Sequence, residues 1–156
     1  MASPNTTFTS GAILTAAQMN NLPMGLVATP VNNTTINQTI TTIADLTGMT
    51  LTFNTVTNRV YRVSYSFFAN STDASSLNVI ITDGSNTAIQ QSIFNFSAPF
   101  SPEGKQLSNF FYFTASTTGS ITRKLRAQRQ SGAGTILVFG AATLPFQFAI
   151  EDCGSV

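Results

Sequence analysis

The chain has no histidine, no tryptophan and a single cysteine among its 156 residues. Without histidine it lacks the commonest general base and metal ligand. Without tryptophan it lacks the broadest aromatic platform for a sugar ring. Cys153 has no partner for an internal disulfide, which excludes a disulfide scaffold, and no imidazole to activate it as a nucleophile. Charge is scarce as well: 8% of residues are Asp, Glu, Lys or Arg, against about a quarter in an average domain. The net charge of +1 gathers neither nucleic acid nor an anionic membrane. No apolar run approaches the roughly 20 residues of a spanning helix. The opening Met1-Ala2-Ser3-Pro4-Asn5 has neither the basic segment nor the apolar core of a secretion signal. These absences predict no membrane partner, no nucleic-acid partner and synthesis in a cytosol.

The six carboxylates give no catalytic pair. Asp45, Asp73, Asp83 and Glu103 fall at or near expected turns, and Glu151 and Asp152 adjoin at the end of the last apolar run. None are spaced as a glycosidase pair. Ser131-Gly132-Ala133-Gly134 lacks the lysine and following helix of a phosphate loop and reads as a hairpin turn. The expectation is a non-enzymatic chain with no cofactor, no metal site and no catalytic residues.

Polarity comes from uncharged groups: 16 Ser, 24 Thr, 13 Asn and 8 Gln. They alternate with apolar residues at the two-residue period of half-buried strands. From Val60 to Ala69, Tyr61, Val63, Tyr65 and Phe67 share one face and Arg62, Ser64 and Ser66 the other, which makes this the expected core strand. Further strands are predicted at Leu26–Val31, Ile36–Leu46, Met49–Phe53, Leu77–Ile81, Thr87–Phe96, Gln106–Thr114, Ser120–Gln130, Thr135–Gly140 and Leu144–Glu151, for a count of about nine. Asp83-Gly84-Ser85-Asn86 is the predicted hairpin turn, with the glycine supplying the positive φ. Short strands with turns every 8 to 12 residues or so predict an all-β fold, an antiparallel β-sandwich of the jelly-roll kind.

Two domains are expected: an N-terminal docking arm over residues 1–24 and a β-sandwich over 25–156. Thr15 is placed to cap one short helix through Ala16 to Asn21, which Pro23 stops. One or two turns do not persist alone in water. Phe8, Ile13, Leu14, Met19, Leu22 and Met24 are too many apolar groups for a free tail, so the arm is expected to dock on its own domain, a sister subunit or another protein.

Phe110-Phe111-Tyr112-Phe113 puts aromatics on both faces of one strand, which is either central in a sandwich or covered by another subunit. Arg123-Lys124-Leu125-Arg126-Ala127-Gln128-Arg129 holds four of the seven basic residues. Lys124, Arg126 and Arg129 read as a patch for phosphates or acidic partners, or as a solvated strand face guarding a sheet edge. Arg123 has the parity of Ile121 and Leu125 and needs a carboxylate or carbonyl partner on that apolar side, across a subunit interface or beside a bulge.

The opening Phe8-Thr9-Ser10-Gly11-Ala12-Ile13-Leu14-Thr15-Ala16-Ala17-Gln18-Met19-Asn20-Asn21 resembles the arm that precedes the β domain of many small tailed-bacteriophage virion proteins of the minor tail or tail-fibre-like kind. Phe148-Ala149-Ile150-Glu151-Asp152-Cys153-Gly154 resembles their terminus, with Cys153 where the family more often has isoleucine. Asp45–Phe53 and Arg59–Val63 also look like that family. The resemblance implies a virion structural protein made in the bacterial host cytoplasm. It also implies a homotrimer with Phe110, Phe111, Tyr112, Phe113 and Arg123 at subunit contacts, and an arm joined to other virion proteins of the tail. A capsid decoration protein on the head is the near alternative. A carbohydrate-binding module touching a host-surface glycan through Tyr61, Tyr65 or Tyr112 is a further one.

Overall fold

A computed structural model describes residues 13, 15, 16, 19, 22–97 and 104–155. Eleven strands run β1 Gly25–Leu26, β2 Val31–Asn33, β3 Asn37–Ile40, β4 Ala44–Thr55, β5 Arg59–Ser71, β6 Ser75–Thr82, β7 Ala88–Phe96, β8 Lys105–Thr114, β9 Gly119–Gly132, β10 Ile136–Phe139 and β11 Phe146–Ser155. All pairings are antiparallel, and one set of them is nested: β6 with β7, β5 with β8, β4 with β9, β3 with β10, and β1 and β2 with β11. This is one long two-stranded ribbon rolled on itself. Rolling brings β5 against β10 and β11 in the first sheet, and β6 against β9 in the second, whose order is β4-β9-β6-β7. The result is the double-sheet jelly roll expected from the sequence.

The core lies between the sheets. Along β5, Tyr61, Val63, Tyr65, Phe67 and Ala69 are buried and the alternate residues are half-buried, so the predicted period holds over the whole strand. Across the gap they face Met49, Leu51, Phe53, Leu77, Val79, Ile81 and Leu125. β5 is central because both its edges are paired, one to β8 and the other to β11 and then β10.

Several expected boundaries move. The run Leu26–Val31 is divided between β1 and β2, and the expected strand Ile36–Leu46 is broken between β3 and β4. β3 belongs to the first sheet and β4 to the second, so the chain must turn there. Gly48 does not end a strand but sits inside β4 at φ 77, within the register shift between Asp45 and Thr50. In the β6–β7 hairpin the positive φ is at Asn86 (φ 70), not at Gly84. Asparagine tolerates this conformation, and Asp83 Oδ1 fixes the turn by accepting the N–H groups of Ser85 and Thr87, each at 2.8 Å. Ser131–Gly134 is not a hairpin turn, since it joins β9 in one sheet to β10 in the other. Its glycines serve close packing: a Cβ on Gly132 would stand 2.3 Å from the Ala74 carbonyl oxygen, and one on Gly134 2.6 Å from Ser71 Oγ.

Candidate functional site

β8 is an edge strand. Among the described residues it pairs only with β5, so the reading of Phe110–Phe113 as a central strand does not hold. Alternation sends Phe111 and Phe113 inward, where they pack half-buried against the core. Phe113 stacks on Tyr61 with ring centroids 5.4 Å apart. Phe110 and Tyr112 point outward and are 56% and 54% exposed, their rings edge to face at 5.6 Å.

The outer face they share is built in rows across the first sheet. Tyr112 is followed by Arg62, Glu151 and Leu26. Phe110 is followed by Ser64 and Ala149, and Ser108 by Ser66, Gln147 and Asn32. Small side chains in the middle of these rows leave a depression of about 380 Å³, lined by Ser64, Ser66, Ala149, Gln147, Asn32 and Pro30. At its side Arg62 Nε donates to Glu151 Oε2 at 2.6 Å. Glu151, with a smaller contribution from Tyr112, raises the Arg62 pKa above its usual value.

Glu151 and Asp152 adjoin in sequence but face opposite sides of β11. Asp152 is turned inward and holds Arg59 through Nε and Nη2 at 2.6 and 2.8 Å, with side chains 2% and 6% exposed. Each carboxylate is thus committed to its own arginine. The buried pair does more than neutralise itself: Asp152 Oδ1 accepts the Gly154 N–H, and Arg59 Nη2 donates to the Leu22 carbonyl at 2.7 Å. That contact ties the end of the arm to the sandwich. Within the arm Met19 N–H donates to the Thr15 carbonyl, and Ala16 and Met19 are helical. Ile13, Met19, Leu22 and Met24 are exposed; Phe8 and Leu14 lie outside the described residues.

The basic run lies on β9, which is flanked by β4 and β6 and therefore guards no sheet edge. Lys124 and Arg126 both reach Asp45, Arg126 Nε at 2.6 Å and Lys124 Nζ at 3.7 Å, and Lys124 also reaches Asn86 Oδ1 at 3.1 Å. Arg129 donates to the carbonyls of Ala133 and Gly134 at 3.2 and 2.9 Å. Sequence reading placed Asp45 near a turn and did not foresee its role on β4. Arg123 stands where its parity put it, its guanidinium carbon 4.8 Å from the centre of the Phe113 ring. Tyr61 and Tyr65 are buried, 1% and 4% exposed, so of the three tyrosines only Tyr112 is open to a ligand. Burial pushes the Tyr65 phenol pKa up. Among the described residues no three His, Cys, Asp or Glu side chains gather as a metal site, and no helix is long and apolar enough to cross a membrane.

No family model matches the chain, and no curated protein matches it. Among solved structures, the crystal structure of the infectious bursal disease virus VP2 subviral particle is similar with a TM-score of 0.39 and 6% identity. The likeness covers 82% of this chain and 38% of that one.

Proposed function

We propose that this chain is a non-enzymatic structural protein of a bacteriophage virion, a homotrimeric assembly module of the tail, made in the bacterial host cytoplasm. The observation that carries the reading is the pair of open rings, Phe110 and Tyr112, on the outer face of an edge strand. Covering the exposed half of each ring would remove on the order of 100 Å² of apolar surface, worth roughly 2–3 kcal/mol per ring. The rings thus favour a sister subunit over water. The likeness of the arm and terminus to phage tail proteins supports the same reading.

Light scattering over a range of concentrations tests it. The expected species has about three times the 16.6 kDa chain mass, and a variant with both Phe110→Ser and Tyr112→Ser is expected to run as a folded monomer. A parent chain that stays monomeric, or a trimer indifferent to both changes, overturns it. Copy number per particle separates a tail position from a head decoration, a handful of trimers against hundreds of chains.

The depression beside the rings favours a second reading, contact with a host-surface glycan. Its hydroxyl and amide lining and the neighbouring Tyr112 ring suit a sugar. A glycan array with no signal, or signal retained in Tyr112→Ala, removes it.

A further inference from the structure

A bare sheet edge recruits another strand, and proteins guard their edges with short strands, charged side chains and bulges. Along one side of this sandwich the guards are present. β1, β2 and β3 are two, three and four residues long, and β4 carries Asp45 and shifts register between Asp45 and Thr50. Along the other side they are missing. β7 and β8, of nine and ten residues, each pair with one neighbour only among the described residues. Neither Ala88–Phe96 nor Gln106–Thr114 holds a charged residue or a proline. β8 keeps an unbroken register against β5 from Val60 to Ala69, and the one shift between β6 and β7 lies at their turn end, between Ile81 and Thr82.

The backbone of β8 is oriented for pairing. Ala115, just beyond it, donates its N–H to the Arg59 carbonyl and accepts the Asn58 N–H, both at 2.9 Å, so it faces the β5 side. Alternation along the antiparallel ladder then turns the N–H and C=O groups of the odd residues from Leu107 to Phe113 toward β5, and those of the even residues from Gln106 to Thr114 toward the open edge. In agreement, the Phe110 N–H donates to the side chain of its own neighbour, Asn109 Oδ1, at 2.8 Å. Ser108 and Tyr112 flank it with N–H groups aimed outward.

We infer that the β8 edge of one copy pairs with the β7 edge of a second copy, head to tail, so that three copies close into a ring. The inference rests on the assembly reading above and adds which edges meet. The strands match in length, nine residues against ten. Between Ala88–Phe96 and Gln106–Thr114 no like charges are opposed. On the outer faces the contact sets Ile93 of β7, 58% exposed, on the same side as the Phe110 and Tyr112 rings, a β-branched side chain with aromatics. Symmetry selects this pairing over its rivals. β8 against the β8 of a sister builds a twofold dimer and leaves both β7 edges bare, whereas a head-to-tail contact that closes leaves none.

Two edge variants of the full chain, followed by light scattering over a rising concentration series, test the pairing. Ser108→Pro removes an outward N–H of β8 and none that β5 uses. Ile93→Lys puts a guarding charge on β7. Each alone is expected to fall from about three times the 16.6 kDa chain mass to a monomer, with its fold checked by circular dichroism; should Ser108→Pro not fold, Tyr112→Lys takes its place. An equimolar mixture of the two is expected to form a dimer, because one copy still offers β7 and the other β8. A variant that stays trimeric, or a mixture that stays monomeric, overturns the pairing. Amide hydrogen exchange separates its failure from that of the assembly reading. A parent trimer in which Ser108 and Tyr112 exchange as fast as in the Ile93→Lys monomer overturns the edge pairing alone, and a monomeric parent overturns both.

Discussion

The sandwich has two long sides, and they are finished differently. On the β3–β4 side the sheets are laced by side chains that reach backbone. Gln38 Nε2 donates to the Asp45 carbonyl at 2.9 Å, Gln38 Oε1 accepts the Thr47 N–H at 3.0 Å and its hydroxyl at 3.1 Å, and Asn33 Nδ2 donates to the Thr47 carbonyl at 3.2 Å. On the β7–β8 side, among the described residues, a single side-chain bond crosses, from Asn109 Nδ2 to Ser92 Oγ at 2.7 Å, and the outer faces carry Ile93, Phe110 and Tyr112 in the open. An edge whose bulge is already capped by amides has little to offer another chain. An edge with free backbone and exposed rings is a template for one. The difference divides the molecule into a laced side and an open one.

Substitutions can break or sharpen this contrast. The largest effect is expected beneath both sides, where Arg59→Met leaves Asp152 buried without its cation; chemical denaturation should show a loss of about 3–5 kcal/mol. On the laced side Gln38→Ala removes three bonds at once, with an expected loss of about 1–3 kcal/mol by the same measurement. Gly48→Ala forces a Cβ into the positive-φ region of the β4 bulge and should cost about 1–2 kcal/mol. On the open side Asn109→Ala should cost less than about 1 kcal/mol, because the bond it loses is exposed. A loss as large as that of Gln38→Ala would erase the distinction. The smallest effect concerns pH. The N–H groups of Thr87 and then Ser85, with Arg123 adding a smaller part, hold the Asp83 pKa below its usual 3.8. Its folded pKa is therefore depressed, so its contribution is present above the unfolded value and is lost as pH falls through the folded one. Asp83→Ala should flatten the acid limb of a stability-against-pH profile in that window, with a small loss of stability above it and little change below it, where the carboxylate is already protonated.

The closed core was readable because period-two patterning needs only local sequence: Tyr61, Val63, Tyr65 and Phe67 announce their face without any knowledge of what covers it. The same rule put Arg123 on the inner side. It also held the evidence that Tyr61 and Tyr65 are core residues and not sugar platforms. What escaped was set by pairs far apart in the chain. Nothing near Asp45 points to Arg126, 81 positions on, and an amide such as Gln38 carries no periodic signal of the backbone it will bind. The glycines of Ser131–Gly134 resemble those of a turn, and it is the approach of Ser71 and Ala74, with a positive φ at Gly132, that explains them.

The nested pairing has a kinetic consequence. Only β6 and β7 meet through a short loop; each further pair closes a longer one, and β1 and β2 can seat only once β11 is in place. Loop closure becomes more costly with length, and chains dominated by such distant pairings fold slowly. The ribbon should therefore zip outward from the Asp83–Thr87 turn. The segment bearing the arm is then among the last to be fixed.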